Sequence, residues 1–361
     1  MKNKSVIKGF DTLRAFSILL VIITHLGFHD YFIGNTFRKD RLWPLISGLT
    51  GVQIFFSLSG FLITHLLVKE KLGIGRIDFK KFYVRRFLRL LPPLLVFYFI
   101  YLVSVYWNYI PLNIHGLIFS FFYVYNFIPN SFYSGELGHM WSLAVEEQYY
   151  IIWPFIIGLI TCFKKGLYII GLLLLVSIAA VYVLPQISFN WHNKSYLLDD
   201  TFQLERWFIP AIVPVMIGSA AGILVNYRYN QLELILRNKF IWLSIAVLFY
   251  LCPLYLPIIM LPIKFVFQSL GIVILLLLIF YNQESNAVRI IHKQPFIYIG
   301  KISYGIYIYQ GFFLMTGPGS QLKFQQFPLN IILTIVIAVI SYEFIERKIL
   351  KFKKKYQPSI Q

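Results

Sequence analysis

A histidine and an arginine stand inside the first apolar run of the chain, where charge is costly. Arg14 and His25 are eleven residues apart, which on a helix is a rotation of about 1100° and leaves them within about 20° of one face. An imidazole can take a proton from a hydroxyl at neutral pH. His25 therefore reads either as a general base or as a hydrogen-bonded histidine within a helix bundle. Arg14 reads either as a partner in the same groove or as a snorkelling anchor at the membrane edge. Ionisable groups at the centre of a span cost about 2.5 to 3.5 kcal/mol, so each one asks for a reason.

Four further stretches carry chemistry. In Lys80-Lys81-Phe-Tyr-Val-Arg85-Arg86-Phe-Leu-Arg89, the pairs Arg85/Arg89 and Arg86/Arg89 are helix-face neighbours. Three guanidiniums so placed could grip phosphates, or could serve as ordinary anchoring charge. Gly51, Ser57, Ser59 and Gly60 are small residues suited to close helix contact. Glu146 and Glu147 adjoin in Trp141-Ser142-Leu-Ala-Val-Glu146-Glu147-Gln-Tyr-Tyr150, about 100° apart on a helix, so they meet different partners. One of them could orient His25 or bind a sugar hydroxyl, or both could be solvated charges at a helix start. In Ser303-Tyr304-Gly-Ile-Tyr307-Ile-Tyr-Gln310, Ser303, Tyr307 and Gln310 form a polar stripe, for chemistry or for interhelical hydrogen bonds. Glu346 stands beside Arg347 and is expected to pair with it or with another cation. Cys162 and Cys252 show no metal-type or redox spacing, and no metal site is expected.

The elements that position these residues follow from composition. Of 361 residues, 58% are hydrophobic and only 13% charged, against about 25% in soluble domains. The expected fold is an all-α, polytopic transmembrane bundle. A span needs roughly 20 apolar residues. Ten stretches qualify: 9–29, 47–68, 90–109, 141–161, 166–184, 208–226, 240–257, 262–281, 295–315 and 328–347. The shorter stretch 115–128 is expected to be re-entrant or interfacial. The formal charge is +18. In a soluble protein that would suggest nucleic acid; here the basic residues fall in blocks between apolar runs, which points to an anionic membrane face and away from nucleic acid. Ten spans with both termini in the cytoplasm put most of the 33 lysines and arginines inside, whereas an eleventh would carry the basic tail out. The first run lacks a small-residue cleavage pattern and is read as retained. Residues 1–350 form one membrane domain and 351–361 a basic cytoplasmic tail. The longest outer loop, 185–207, is polar enough to meet a hydrophilic ligand, or is simply solvated.

Taken in order, these stretches resemble the acyltransferase 3 family of bacterial membrane O-acyltransferases. Arg14 and His25 resemble its Arg-ten-residues-His motif. The run from Gly51 to Ile63 is similar to its Phe-Phe-x-x-Ser-Gly-Phe-Leu motif, and Arg85-Arg86-x-x-Arg89 to its basic loop. Trp141-Ser142-Leu143 through Glu147, Ser303-Tyr304 and Glu346-Arg347 follow in the family's order. The resemblance implies transfer of an acyl group, usually acetyl, from acyl-CoA to a carbohydrate hydroxyl of the bacterial envelope. It implies His25 as base, Glu147 as its orienter, and Arg14 at the donor or the oxyanion. Arg85, Arg86 and Arg89 would hold coenzyme A, and Trp141, Ser142, Glu146, Ser303, Tyr304, Tyr307 and Gln310 would bind substrate. Coenzyme A thioester is a donor substrate here, with no permanently bound cofactor. The partners implied are membrane lipid, acyl-CoA and the carbohydrate, with a separate extracytoplasmic transferase chain for any further step, since no esterase-like domain follows the last run. Two departures stand out. Gln310 occupies a place where the family often has His, and amide cannot accept a proton at neutral pH. Lys348 replaces a common Pro. A polar-lipid or glycan transporter, or a catalytically impaired partner, are the alternative readings; transporter repeats and paired broken helices are not apparent.

Overall fold

The computed structural model describes residues 7–26, 45–191, 194–256, 260–314, 322–353 and 356. The chain folds as a helical bundle. The helices used below are α1 Phe10–His25, α2 Gly48–Ile74, α3 Phe79–Tyr106, α4 Ile114–Phe121, α5 Met140–Leu159, α6 Phe163–Val183, α7 Val213–Tyr227, α8 Lys239–Leu251, α9 Leu261–Tyr281, α10 Gln294–Phe313, α11 Leu329–Ser341 and α12 Arg347–Lys353.

Every predicted stretch holds a helix, but not every helix is a full span by length and composition. Among the described residues, five are long and apolar enough to cross a membrane: those at Gly48–Ile74, Phe79–Tyr106, Phe163–Gln186, Pro262–Tyr281 and Leu329–Phe352. A sixth arises if Tyr229–Ile235 and Lys239–Leu254, which meet at an 87° bend, count as one broken span. The remainder are shorter, as with the 16 residues of α1 and the 15 of α7, or carry charged and polar side chains, as in α5 and α10.

Three boundaries correct the sequence reading. The Lys80–Arg89 stretch is not a loop. It forms the first turns of the 28-residue α3, because Asp78 caps the helix by accepting from the Lys81 amide at 2.9 Å. The short stretch is helical only over Ile114–Phe121, eight residues, and a 3₁₀ turn follows at Tyr125–Phe127. The last predicted span breaks from α- to π-helix at Tyr342–Glu346. Glu346 accepts from the Ser341 hydroxyl at 3.0 Å there, while Arg347 pairs with Glu343 at 2.6 Å, so the expected Glu346–Arg347 pair does not form. The bundle is also not purely helical. A short antiparallel hairpin, β1 Ser188–Trp191 with β2 Lys194–Leu197, lies in the 185–207 loop.

Small residues set the innermost crossings. A Cβ at Gly60 on α2 would fall on the Val215 carbonyl of α7, and one at Gly218 or Gly222 on the backbone of Ser57 or Phe61. Gly51 admits the Ser17 carbonyl of α1 in the same way, and Gly300 on α10 admits that of Asp11. α2 thus lies between α1 and α7, and α1 between α2 and α10, at backbone contact. α5 is tied across this core by polar groups. The Tyr149 hydroxyl meets Ser219 at 2.9 Å and Thr64 at 3.2 Å, and the Trp153 indole donates to Thr64 at 2.7 Å. At the other end of α5, the Lys71 ammonium donates to the carbonyls of Ile157, Gly158 and Ile160 at 3.0, 2.8 and 2.7 Å. Carbonyls at a helix C-terminus are short of backbone donors, so a cation is a natural cap.

Candidate active site

α1, α2, α3, α5, α7, α9 and α10 line a cavity of about 1410 Å³. Its floor and mouth are charged. Arg14 projects from α1 and forms an ion pair with Asp11, one turn before it, at 2.7 Å. Arg85, Arg86 and Arg89 line the α3 wall. Arg86 lies over the Tyr150 ring at 4.5 Å, which fixes the guanidinium plane and leaves its N–H edge for other acceptors. Arg85 is more fully engaged, with Glu70 at 3.9 Å and the Tyr356 carbonyl at 2.6 Å. Arg89 lies within electrostatic reach of Arg14 and Glu346. The lining is thus net positive, with Arg14, Arg85, Arg86, Arg89, Lys69 and Lys239 against Asp11, Glu70, Glu146 and Glu284. Such a mouth favours a polyanion.

Deeper in, the acid on the cavity wall is Glu146. Its carboxylate accepts from the Ser59 hydroxyl of α2 and from the Tyr150 hydroxyl one turn along α5. Ser59 serves here as a cavity residue, unlike its small neighbours Ser57 and Gly60, which pack. Glu147, rotated to the next face, does not line the cavity; it stands within reach of Arg86, Tyr123 and Tyr304. Ser303 lines the cavity while its hydroxyl donates back to the Gly300 carbonyl at 2.9 Å. The Tyr304 hydroxyl donates to the Leu90 carbonyl at 3.1 Å and so ties α10 to α3 beside Arg89.

The far end of the cavity is closed by Ser142 and Tyr307, whose hydroxyls are hydrogen-bonded to each other. Both also lie within hydrogen-bond reach of the His139 carbonyl, at 3.2 and 3.3 Å, so one hydroxyl donates to that carbonyl and the other to its neighbour. Beyond them lies the His139 ring, 5% exposed, edge-on to Tyr307 and to Phe97 and pressed against Gly311 of α10. Neither of its ring nitrogens has a partner among the described residues, and the same holds for both side-chain polar atoms of the fully buried Gln310. His25 ends α1, half-buried, within electrostatic reach of His139. It does not line the cavity, whereas Arg14 does; its electrostatic neighbour is His139, behind the Ser142–Tyr307 pair. Trp141, beside Ser142 on α5, packs edge-on to the cavity-lining Phe56 at 6.3 Å.

His139 is the residue that sequence reasoning passed over. It stands two positions before Trp141, in the same stretch, but a histidine at a helix start carries no periodic signal. Only the arrival of Tyr307 and Gly311 shows that it is enclosed. The arrangement can therefore hold an anionic carrier at one end, place its reactive terminus near Glu146 and the Ser142–Tyr307 pair, and offer imidazole beyond.

Comparison with known proteins bears on this geometry. A family model described as an acyltransferase domain, of the acyltransferase 3 type, matches residues 7–343. The chain is 28% identical over 397 residues to the "O-acetyltransferase OatA" of Staphylococcus aureus, covering 97% of this chain and 58% of that protein. It is 30% identical over 372 residues to the "Putative peptidoglycan O-acetyltransferase YrhL" of Bacillus subtilis, covering 95% and 55%. The chain thus spans under two thirds of the length of these relatives. No solved structure matches it.

Proposed function

The chain belongs to this acyltransferase family, and from that premise we propose that it moves an acetyl group from acetyl-CoA to a hydroxyl of a cell-envelope carbohydrate. The observation that carries the reading is the cavity, with guanidiniums crowded at one end and a hydroxyl pair backed by imidazole at the other. Coenzyme A is a polyanion with a long, flexible thioester arm. Its phosphates suit Arg85, Arg86 and Arg89, and Arg14 adds charge on the same side. We place that mouth in the cytoplasm, with ten crossings and both termini inside, as the distribution of basic residues favours.

In the proposed reaction His25 takes the proton of the acceptor hydroxyl. The oxygen attacks the thioester carbonyl, a C–O bond forms, and the C–S bond breaks. The leaving thiolate recovers a proton from the imidazolium, so charge and protons balance. Direct transfer is the simplest course, because no side chain at the cavity end is an activated nucleophile. Glu146, held by Ser59 and Tyr150, is the carboxylate placed to meet substrate, and Glu147 is assigned to the electrostatics of Arg86 rather than to His25. His139 and Gln310 supply buried polar atoms that substrate or water would satisfy.

The test is to incubate membranes containing the protein with acetyl-CoA labelled in the acetyl group. Label recovered in envelope glycan supports transfer. Glycan crossing the membrane without label would support transport instead and remove this reading.

A further inference from the structure

The proposed reaction needs an acceptor site on the side of the Ser142–Tyr307 closure away from the arginine mouth, and a cluster there has no part in the donor cavity. Arg206 follows the β1–β2 hairpin in sequence and reaches over two rings at once, Tyr133 at 5.5 Å and Trp141 at 5.6 Å. Both Arg206 and Tyr133 lie within electrostatic reach of the Tyr307 hydroxyl. The cluster therefore sits beside the Ser142–Tyr307 pair, outside the cavity lining. Tyr133 is 37% exposed.

Arg206 is positioned but not saturated. Its carboxylate neighbour, Glu205, is 3.8 Å away, beyond hydrogen-bond length, and more than half exposed at 55%. Among the described residues no hydrogen-bond acceptor is recorded for its guanidinium, which carries five N–H donors. An arginine fixed face-on between rings keeps its N–H edge for a carboxylate or carbonyl oxygen. A second observation points the same way. On the segments that supply Tyr133 and Arg206, the buried polar atoms Ser134 Oγ, Gln203 Oε1 and Trp207 Nε1 have no partner among the described residues. Buried polar atoms without a partner ask for one, and an indole and a phenol under a guanidinium suit a hydroxyl-rich ring better than an apolar ligand or a bare ion.

We propose that Arg206, Tyr133 and Trp141 form the acceptor site, taking a sugar whose carboxylate or amide carbonyl is held by the guanidinium while a ring hydroxyl reaches the Ser142–Tyr307 pair. The proposal rests on the acyl-transfer reading for its purpose, but the site can be tested apart from catalysis. The full chain is placed in phosphatidylcholine nanodiscs, a neutral lipid that removes competition from anionic headgroups. Binding of muramidase-released peptidoglycan disaccharides is followed by tryptophan fluorescence for wild type, Arg206→Ala and Tyr133→Leu. Acetyl-CoA binding, equal in all three, shows that each variant is folded. Arg206→Ala weakens carbohydrate binding by about tenfold or more, the loss of a hydrogen bond to a charged group, and raises the acceptor KM in parallel. Tyr133→Leu weakens it in the same direction and decides the matter if the alanine variant does not fold. Wild-type protein that binds no disaccharide, or variants that bind as wild type does, would overturn the site. Transfer of acetyl to the disaccharide with an unchanged KM in Arg206→Ala would remove the site and leave acyl transfer standing. Arg206-dependent binding without any acetyl transfer would keep the site and remove the reaction.

Discussion

Two acidic residues side by side, Glu146 and Glu147, have different surroundings because one step along a helix turns a side chain by about 100°. Glu146 meets Ser59 and Tyr150 in the cavity, while Glu147 faces away from it. Sequence could say that the two differ, but not which one faces the chemistry, because that depends on which helix lies on each side of α5. Arg14 and His25 teach the same lesson along the axis. Their shared face is legible from spacing alone, yet only Arg14 lines the cavity, whose wall is completed by α5 and α10, distant in sequence. At this scale the account predicts that His25→Ala lowers acetyl transfer by about a hundredfold or more, the usual contribution of a general base, while the protein still inserts and binds acetyl-CoA. Steady-state transfer by the purified variant checks this; a rate within a few-fold of wild type would take proton transfer away from His25.

The helices themselves were the legible part, because a run of apolar residues of bilayer length has few other uses. What hydropathy could not supply was where they begin and how they cross. α3 starts eleven residues before its predicted apolar run. Lysine and arginine are good helix formers, and Asp78 provides the cap. The π turn at Tyr342–Glu346 likewise leaves no hydropathy signal. The crossings rest on glycines, which sequence flagged only as small. Gly218 faces the backbone of Ser57 and Phe61, with no flexible side chain to give way. Gly218→Leu is therefore expected to force α2 and α7 apart and to destabilise the protein by about 1 to 3 kcal/mol or more, the usual cost of overpacking. Loss of resistance to thermal unfolding in detergent would show it, and a variant as stable as wild type would contradict the close crossing of α2 and α7.

Over the whole molecule, the charge asymmetry read from composition becomes a structural one. The guanidiniums of α3 and Arg14 gather at one end of a cavity, and Arg206 with its rings gathers beyond the other. The central claim is that donor and acceptor meet across the Ser142–Tyr307 closure from opposite faces. The most direct test reconstitutes the protein into sealed liposomes that enclose peptidoglycan fragments. Cys162, exposed between α5 and α6, reports orientation through an impermeant thiol reagent when Cys252 is replaced by serine. Acetyl-labelled acetyl-CoA is then added outside only. In the fraction whose Cys162 is labelled from outside, the account predicts acetylated fragments within the lumen. Acetylation that occurs only when both substrates share one compartment would contradict it.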